Sequence, residues 1–167
     1  MSMSALAAGA AAPEISLPTL QGPKFDLAAA RKSGPVVLAF FKVSCPVCQM
    51  AFPFFERLHR AYSGNSVQVV GVSQDPAQDT AAFVKQFGIT FPVALDDTKK
   101  YPASNAYQLT NVPSLFLVDS AGAIEVSSVG WSRDELEQVG KKLAAASGKG
   151  NVTLVRSEDK VPTFKPG

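Results

Sequence analysis

The stretch Pro35-Val36-Val37-Leu38-Ala39-Phe40-Phe41-Lys42-Val43-Ser44-Cys45-Pro46-Val47-Cys48 decides how this chain is read. Its first seven residues form an apolar run rich in Val and Phe, which reads as a buried strand. The Phe-, Leu- and Met-containing segment from Pro46 to about Tyr62 reads as a helix. The two cysteines of the chain therefore stand together where a strand turns into a helix. The first N–H groups of a helix have no intrahelical partner and the dipole there is positive, so a sulfur anion at that place is stabilised. A C-x-x-C in this setting is the pattern of thiol–disulfide exchange.

Length and charge bound the rest. At 167 residues the chain is one domain of ordinary size, able to bury a core without disulfide staples. A formal net charge of +2, with no Lys/Arg cluster longer than two, argues against nucleic acid and anionic membrane as partners. No apolar stretch approaches the roughly 20 residues of a membrane span. The Ala-rich opening, Met1 to Pro13, has neither a basic start nor a Leu-rich centre, so it does not read as a secretory leader. The compartment stays open: cytoplasmic as written, extracytoplasmic (periplasmic) if a leader has been removed.

Working outward, strand, helix and turn signals alternate. Residues 1–12 read as a flexible lead and 13–147 as the domain. Short strands are expected at Ile15–Leu17 and Lys24–Asp26, with a brief helix over Leu27–Arg31. The helix from Pro46 is ended by Gly64-Asn65. Val67–Val72 is a strand, and Ala77–Phe87 a helix stopped by Gly88. Phe91–Leu95 reads as a short strand, and Asp96 to about Ala106 as partly helical. Leu115–Val118 and Ile124–Val129 form a hairpin across Asp119-Ser120-Ala121-Gly122-Ala123. A final helix begins at Ser132, with Glu135 three residues on as a capping box, and runs to about Ala146. This order implies an α/β domain with a central mixed sheet covered on both faces. In the tail, 148–167, Val152-Thr153-Leu154-Val155 has the composition of one more strand, and the polar segment 157–167 reads as loosely attached.

The cysteine turn, Asn111-Val112-Pro113-Ser114 ahead of a strand, Val70-Gly71-Val72-Ser73 followed by a helical insert, and Phe91-Pro92-Val93 together resemble the thioredoxin fold. More narrowly they resemble the TlpA/ResA-like thiol–disulfide oxidoreductases, redoxins that neighbour the AhpC/TSA peroxiredoxins. The resemblance covers about residues 13 to 146. It implies an N-terminal extension, a TlpA-like helical insert and a redox-active Cys45–Cys48 couple with no other cofactor. The partners it implies are protein disulfides or dithiols and an upstream thiol redox partner, and a monomer is expected.

Position assigns roles to the two sulfurs. Cys45, nearest the helix start, is the expected nucleophile, and Cys48, one turn deeper, the thiol that resolves the mixed disulfide. Pro46 suits the first helical turn, where its missing N–H costs nothing. By resemblance, the Val112–Pro113 bond is cis and faces the cysteines, and Val112, Pro113, Pro46 and Val47 form the substrate-binding surface. Pro53 matches a helix-bending proline. Three departures stand out: Ser44 occupies the place of a family tryptophan, and Ala39 and Ala51 the places of family carboxylates that accept the second thiol's proton.

Other residues read as structural. Lys42 is a solvated lysine. His59 lies three turns, roughly 16 Å, beyond Cys48, too far to serve as its base. Phe40, Phe41, Phe52, Phe54 and Phe55 are core, Asp96-Asp97 and Lys99-Lys100 a solvated loop, and Trp131 a partly buried packing residue. Two alternatives to disulfide exchange are weaker. A thiol peroxidase wants a proline seven and a Ser or Thr three residues before its reactive cysteine. For Cys45 those positions hold Leu38 and Lys42, and for Cys48 they hold Phe41 and Cys45. A Sco-like copper module, which Asp75-Pro76 faintly suggests, spaces its cysteines by three and adds a downstream histidine that has no counterpart here. A zinc site needs two ligands beyond the cysteines, and the chain offers only His59, so no metal is expected.

Overall fold

Val36–Phe41, the strand β3 of the fold, is buried along its whole length. Its side chains alternate: Val37, Ala39 and Phe41 point to one core, Val36, Leu38 and Phe40 to the other. A strand apolar on both faces belongs in the middle of a sheet, and β3 is the middle. In this computed structural model, which describes residues 5–64 and 66–167, β3 pairs in parallel with β4 (Gln68–Ser73) and antiparallel with β6 (Ser114–Val118). With β5 (Val93–Leu95) beyond β4 and β7 (Ile124–Val129) beyond β6, the order is β5-β4-β3-β6-β7. This is the expected mixed α/β sheet, and it is the thioredoxin fold.

One face carries α2 (Pro46–Tyr62), α3 (Ala77–Phe87) and α5 (Arg133–Ser147). Phe52 is the hub there, with ring centroids 4.3 Å from Phe41, 5.3 Å from Phe55 and from Phe83, and 5.8 Å from Phe91. The other face is covered by the hairpin β1 (Ser16–Leu17) and β2 (Phe25–Asp26), by α1 (Leu27–Ala30), and by α4 (Pro102–Ala106) with Tyr107. Gly88 and Gly148 close α3 and α5 in the left-handed conformation. Ser132 caps α5 by accepting from the Glu135 amide, which is one half of the expected capping box; the Glu135 carboxylate accepts instead from Ser128 Oγ–H.

Two segments differ from the sequence reading. Within the lead 1–12, residues 1–4 lie outside the described residues, as does Asn65. The remainder is tied down rather than flexible. Gly9 N–H donates to Ile124 O, Ala12 N–H to Gly122 O and Ser127 Oγ–H to Leu6 O, so the lead runs along the outer edge of β7. An edge strand has backbone groups to offer, and the lead satisfies them.

The tail is also packed, and Val152–Val155 is not a strand. Leu154 and Val155 are buried beside α2 and α5. Arg57 grips Asp159 with two hydrogen bonds of 2.7 and 2.9 Å and donates to Leu154 O, while its guanidinium lies 4.7 Å from the centre of the Phe54 ring. The end of the tail forms β9 (Phe164–Lys165), antiparallel to β8 (Trp131–Ser132). Polar composition concealed this because the anchors are one apolar pair and one ion pair. Among the described residues no helix is long and apolar enough to cross a membrane.

Candidate active site

The turn from β3 into α2 places the cysteines. Cys45 is the N-cap of α2: its backbone is extended, and its sulfur accepts from the Cys48 amide at 3.3 Å. Pro46 follows at the first helical position, where no N–H is needed. The helix start thus turns an unpartnered N–H onto the Cys45 sulfur, the arrangement expected from the sequence. Cys45 is partly exposed, whereas Cys48 is fully buried under it. Both are free thiols.

Opposite them lies the loop before β6. Val112–Pro113 is a cis peptide bond, and Cys45 Sγ–H donates to Val112 O at 3.4 Å. The loop is held by Ser114 Oγ–H donating to Asn111 O (2.7 Å) and Gly130 N–H donating to Pro113 O (2.8 Å). Of the residues between the cysteines, Pro46 is exposed and Val47, at 7% exposure, packs inward against the core. The sequence reading expects both on a substrate surface; of the two, only Pro46 is exposed.

The two thiols are in unlike environments. Burial is the largest influence on Cys48 and pushes its pKa well above the ordinary thiol range. The hydrogen bond to Cys45, the charge Cys45 carries when it is a thiolate, and the negative charge of Asp75 act in the same direction, while the Lys42 amide partly opposes them. Cys48 is therefore a protonated thiol held behind Cys45.

Two contributors to the site, and one buried carboxylate elsewhere in the fold, are not evident in the sequence. Asp75 Oδ2 accepts from the Val43 amide at 2.8 Å, which fixes the turn two residues before Cys45. Gln49 Nε2–H donates to Val43 O at 2.9 Å and braces the same turn from the helix side. Asp96 is no solvated loop residue but 2% exposed, accepting from the Ala103 and Ser104 amides and the Ser104 hydroxyl; it fixes the start of α4. An Asp directly before Pro in Asp75-Pro76, and Asp96 six residues before Pro102, are the signals available. They mark turns without saying which backbone group each carboxylate reaches.

His59 lies away from the cysteines, edge-on to Phe91 and hydrogen-bonded to Ser63, as its distance along α2 predicts. Trp131 is fully rather than partly buried, because its indole N–H finds Pro162 O in the tail at 2.6 Å. Lys42 is exposed. Among the described residues no group of three or more His, Cys, Asp or Glu side chains is placed to hold a metal ion.

A family model, that of the AhpC/TSA family, matches residues 8–127. The chain belongs to the AhpC/TSA family. Within it the chain is similar to the thiol-disulfide oxidoreductase ResA of Geobacillus kaustophilus, with 29% identity over 80% of this chain and 76% of that protein. It is also similar to the thioredoxin-like protein YneN of Bacillus subtilis, with 31% identity over 78% of this chain and 76% of that one. Its fold matches the thioredoxin domain of a thiol-disulfide oxidoreductase from Bacteroides vulgatus, with a TM-score of 0.73 and 23% identity over 82% of this chain and 97% of that domain.

Proposed function

We propose that this redoxin is a thiol–disulfide oxidoreductase that exchanges the Cys45–Cys48 dithiol with disulfides of protein substrates, using no redox group beyond the two sulfurs. One observation carries the reading: a partly exposed thiol at a helix N-cap, facing Val112, with a second, fully buried thiol one turn behind it. Cys45, as thiolate, attacks one sulfur of the substrate disulfide and expels the other as a thiol, which leaves a mixed disulfide on Cys45. Cys48 then attacks Cys45, releases the second substrate thiol and closes the Cys45–Cys48 disulfide. Two electrons and two protons pass to the substrate. An upstream dithiol partner returns the protein to the reduced form, and the same steps in reverse oxidise a dithiol substrate.

Pro46 and Val112 form the contact surface around Cys45, with the buried Val47 and Pro113 supporting it from beneath. The Val112 backbone supplies polar groups against which an extended peptide can pair. The working unit is a monomer, since both sulfurs and the facing loop come from one chain. The test is insulin reduction with dithiothreitol as electron source. Wild-type protein accelerates precipitation of the insulin B chain, Cys45→Ser abolishes the effect, and Cys48→Ser accumulates the mixed disulfide on Cys45. Full activity in Cys45→Ser would overturn the assignment, and peroxide consumption exceeding disulfide exchange would favour a peroxidase instead.

A further inference from the structure

The end of the tail runs from its Asp159 anchor back toward the cysteines. Trp131 Nε1–H donates to Pro162 O at 2.6 Å and the Arg133 amide to Thr163 O at 2.9 Å. Next, β9 pairs with β8 in the register Ser132↔Phe164 and Trp131↔Lys165. The chain then lies on the loop facing Cys45. Asn111 Nδ2–H donates to Gly167 O at 3.1 Å. A Cβ on Gly167 would stand 2.0 Å from Val112 O and 3.3 Å from Val112 N, so the backbones are in direct contact there. Gly130 permits the same approach on the other side: with φ at +77° and a would-be Cβ 2.7 Å from Lys165 O, it tolerates no side chain.

That contact covers a particular place. Val112 O is the atom to which Cys45 Sγ–H donates. The strip beside Val112 is held by Gly167, and the space over Gly130 next to it by Lys165 and Pro166. Residues 162–167 are nonetheless all exposed, with Phe164 at 58%, so backbone pairing rather than buried apolar area holds this stretch down. By contrast, Leu154, Val155 and the Arg57–Asp159 pair hold the upstream part firmly. A firm anchor followed by a lightly held strand is the construction of a strap that can be replaced without unfolding the domain.

We propose that residues 162–167 are an internal stand-in for the partner polypeptide: they occupy, as a strand on β8 and against Val112, the strip that an extended disulfide-bearing segment takes when it displaces them to reach Cys45. This rests on the reading of Cys45 as the attacking thiol. The strap discriminates by chemistry. A small disulfide needs only the sulfur of Cys45, whereas a polypeptide needs the strip as well, so only segments able to pair with β8 in place of β9 react efficiently.

The test compares two stoichiometric reagents on reduced protein: dithiodipyridine, and a ten-residue extended peptide whose cysteine carries a thiopyridyl disulfide. In each reaction Cys45 thiolate breaks one disulfide, forms one mixed disulfide and expels a thiopyridine that is read by absorbance. A stop codon after Val161 removes the strap and leaves the Asp159 anchor. The expected result is a rise of roughly tenfold in the peptide's rate constant, from loss of the competing backbone hydrogen bonds, with less than a twofold change for dithiodipyridine. Added back in trans, a peptide of residues 160–167 slows the peptide reagent and not the small one. Equal rises with both reagents, or no rise with either, would overturn the proposal. Should the shortened chain melt early, Asp159→Asn in the full chain decides: it loosens the strap and raises the peptide rate alone, by about threefold on the same grounds. These rates need no turnover, so a failure of insulin reduction would count against the proposed function while the strap is still read separately.

Discussion

Burial of Cys48 sets a measurable pH law for the second half of the exchange. The thiol is fully buried, and burial, the hydrogen bond with Cys45 and the charge of Asp75 all push its pKa well above the ordinary thiol value. Forming the mixed disulfide removes the Cys45 contributions but leaves burial and Asp75 in place. Across pH 6 to 8.5 the reactive Cys48 thiolate is then a small fraction that grows tenfold per pH unit. The rate of resolution should follow it with a log–log slope near 1, about 300-fold over that range. The assay is stopped flow with a fluorescent peptide disulfide. The thiopyridine burst reports attack by Cys45, and the later, concentration-independent release of the fluorescent thiol reports resolution by Cys48. Asp75→Asn keeps an acceptor for the Val43 amide but removes the charge, and should speed resolution severalfold at pH 7 with the slope unchanged. A plateau in the resolution rate below pH 9 would refute this reasoning, because it would place the Cys48 pKa in the ordinary range despite burial.

The same shift makes the reduced protein less stable in base: above about pH 8.5 the unfolded chain releases the Cys48 proton and the folded chain keeps it, so stability falls by about 1.4 kcal/mol per pH unit. Urea melts of reduced wild type against Cys48→Ala between pH 7 and 10 isolate this term, and parallel curves would exclude it. Phe52→Ala, at the hub of the aromatic cluster, should cost about 3–5 kcal/mol in the same melts; a loss under 1 kcal/mol would mean the cluster re-closes. Asp96→Ala leaves the amides of Ala103 and Ser104 without acceptors and should cost about 2–3 kcal/mol, with amide exchange in α4 accelerating before that of β3. Uniform acceleration would show that Asp96 supports the whole fold rather than α4 alone.

The strand β3, the cysteine turn and α2 were legible because each is determined locally: an apolar run buried on both faces, a residue free to cap, a proline at the first helical position. Val112 and Pro113 were legible only through resemblance, since nothing in their own sequence says that they face residues nearly seventy positions earlier. Asp75, Asp96 and Arg57 were not. Each acts through a partner distant in the chain or through a turn whose shape the surroundings set: Asp75 with the Val43 amide, Asp96 with α4, Arg57 with Asp159. Such pairings carry no periodicity. The lead and the tail differ from their sequence reading for one common reason: small or polar residues suggest loose chain, yet their backbones complete the edges of β7 and β8. Edge pairing depends on backbone groups, which composition does not report.

These features bear on how the buried thiol can lose its proton. With Ala39 and Ala51 in the places of the family acids, the remaining carboxylate near Cys48 is Asp75, and its Oδ2 is committed to the Val43 amide. Burial chiefly holds the Cys48 proton in place, and the negative charge of Asp75 adds to that hold rather than removing the proton. The overall resolution step nevertheless balances: Cys48 gives up one proton and the departing substrate thiolate gains one. The proton can therefore pass from Cys48 to the leaving sulfur by way of solvent, provided that water reaches the pair. Cys45 is itself partly exposed, so solvent reaches the sulfur at which that exchange takes place.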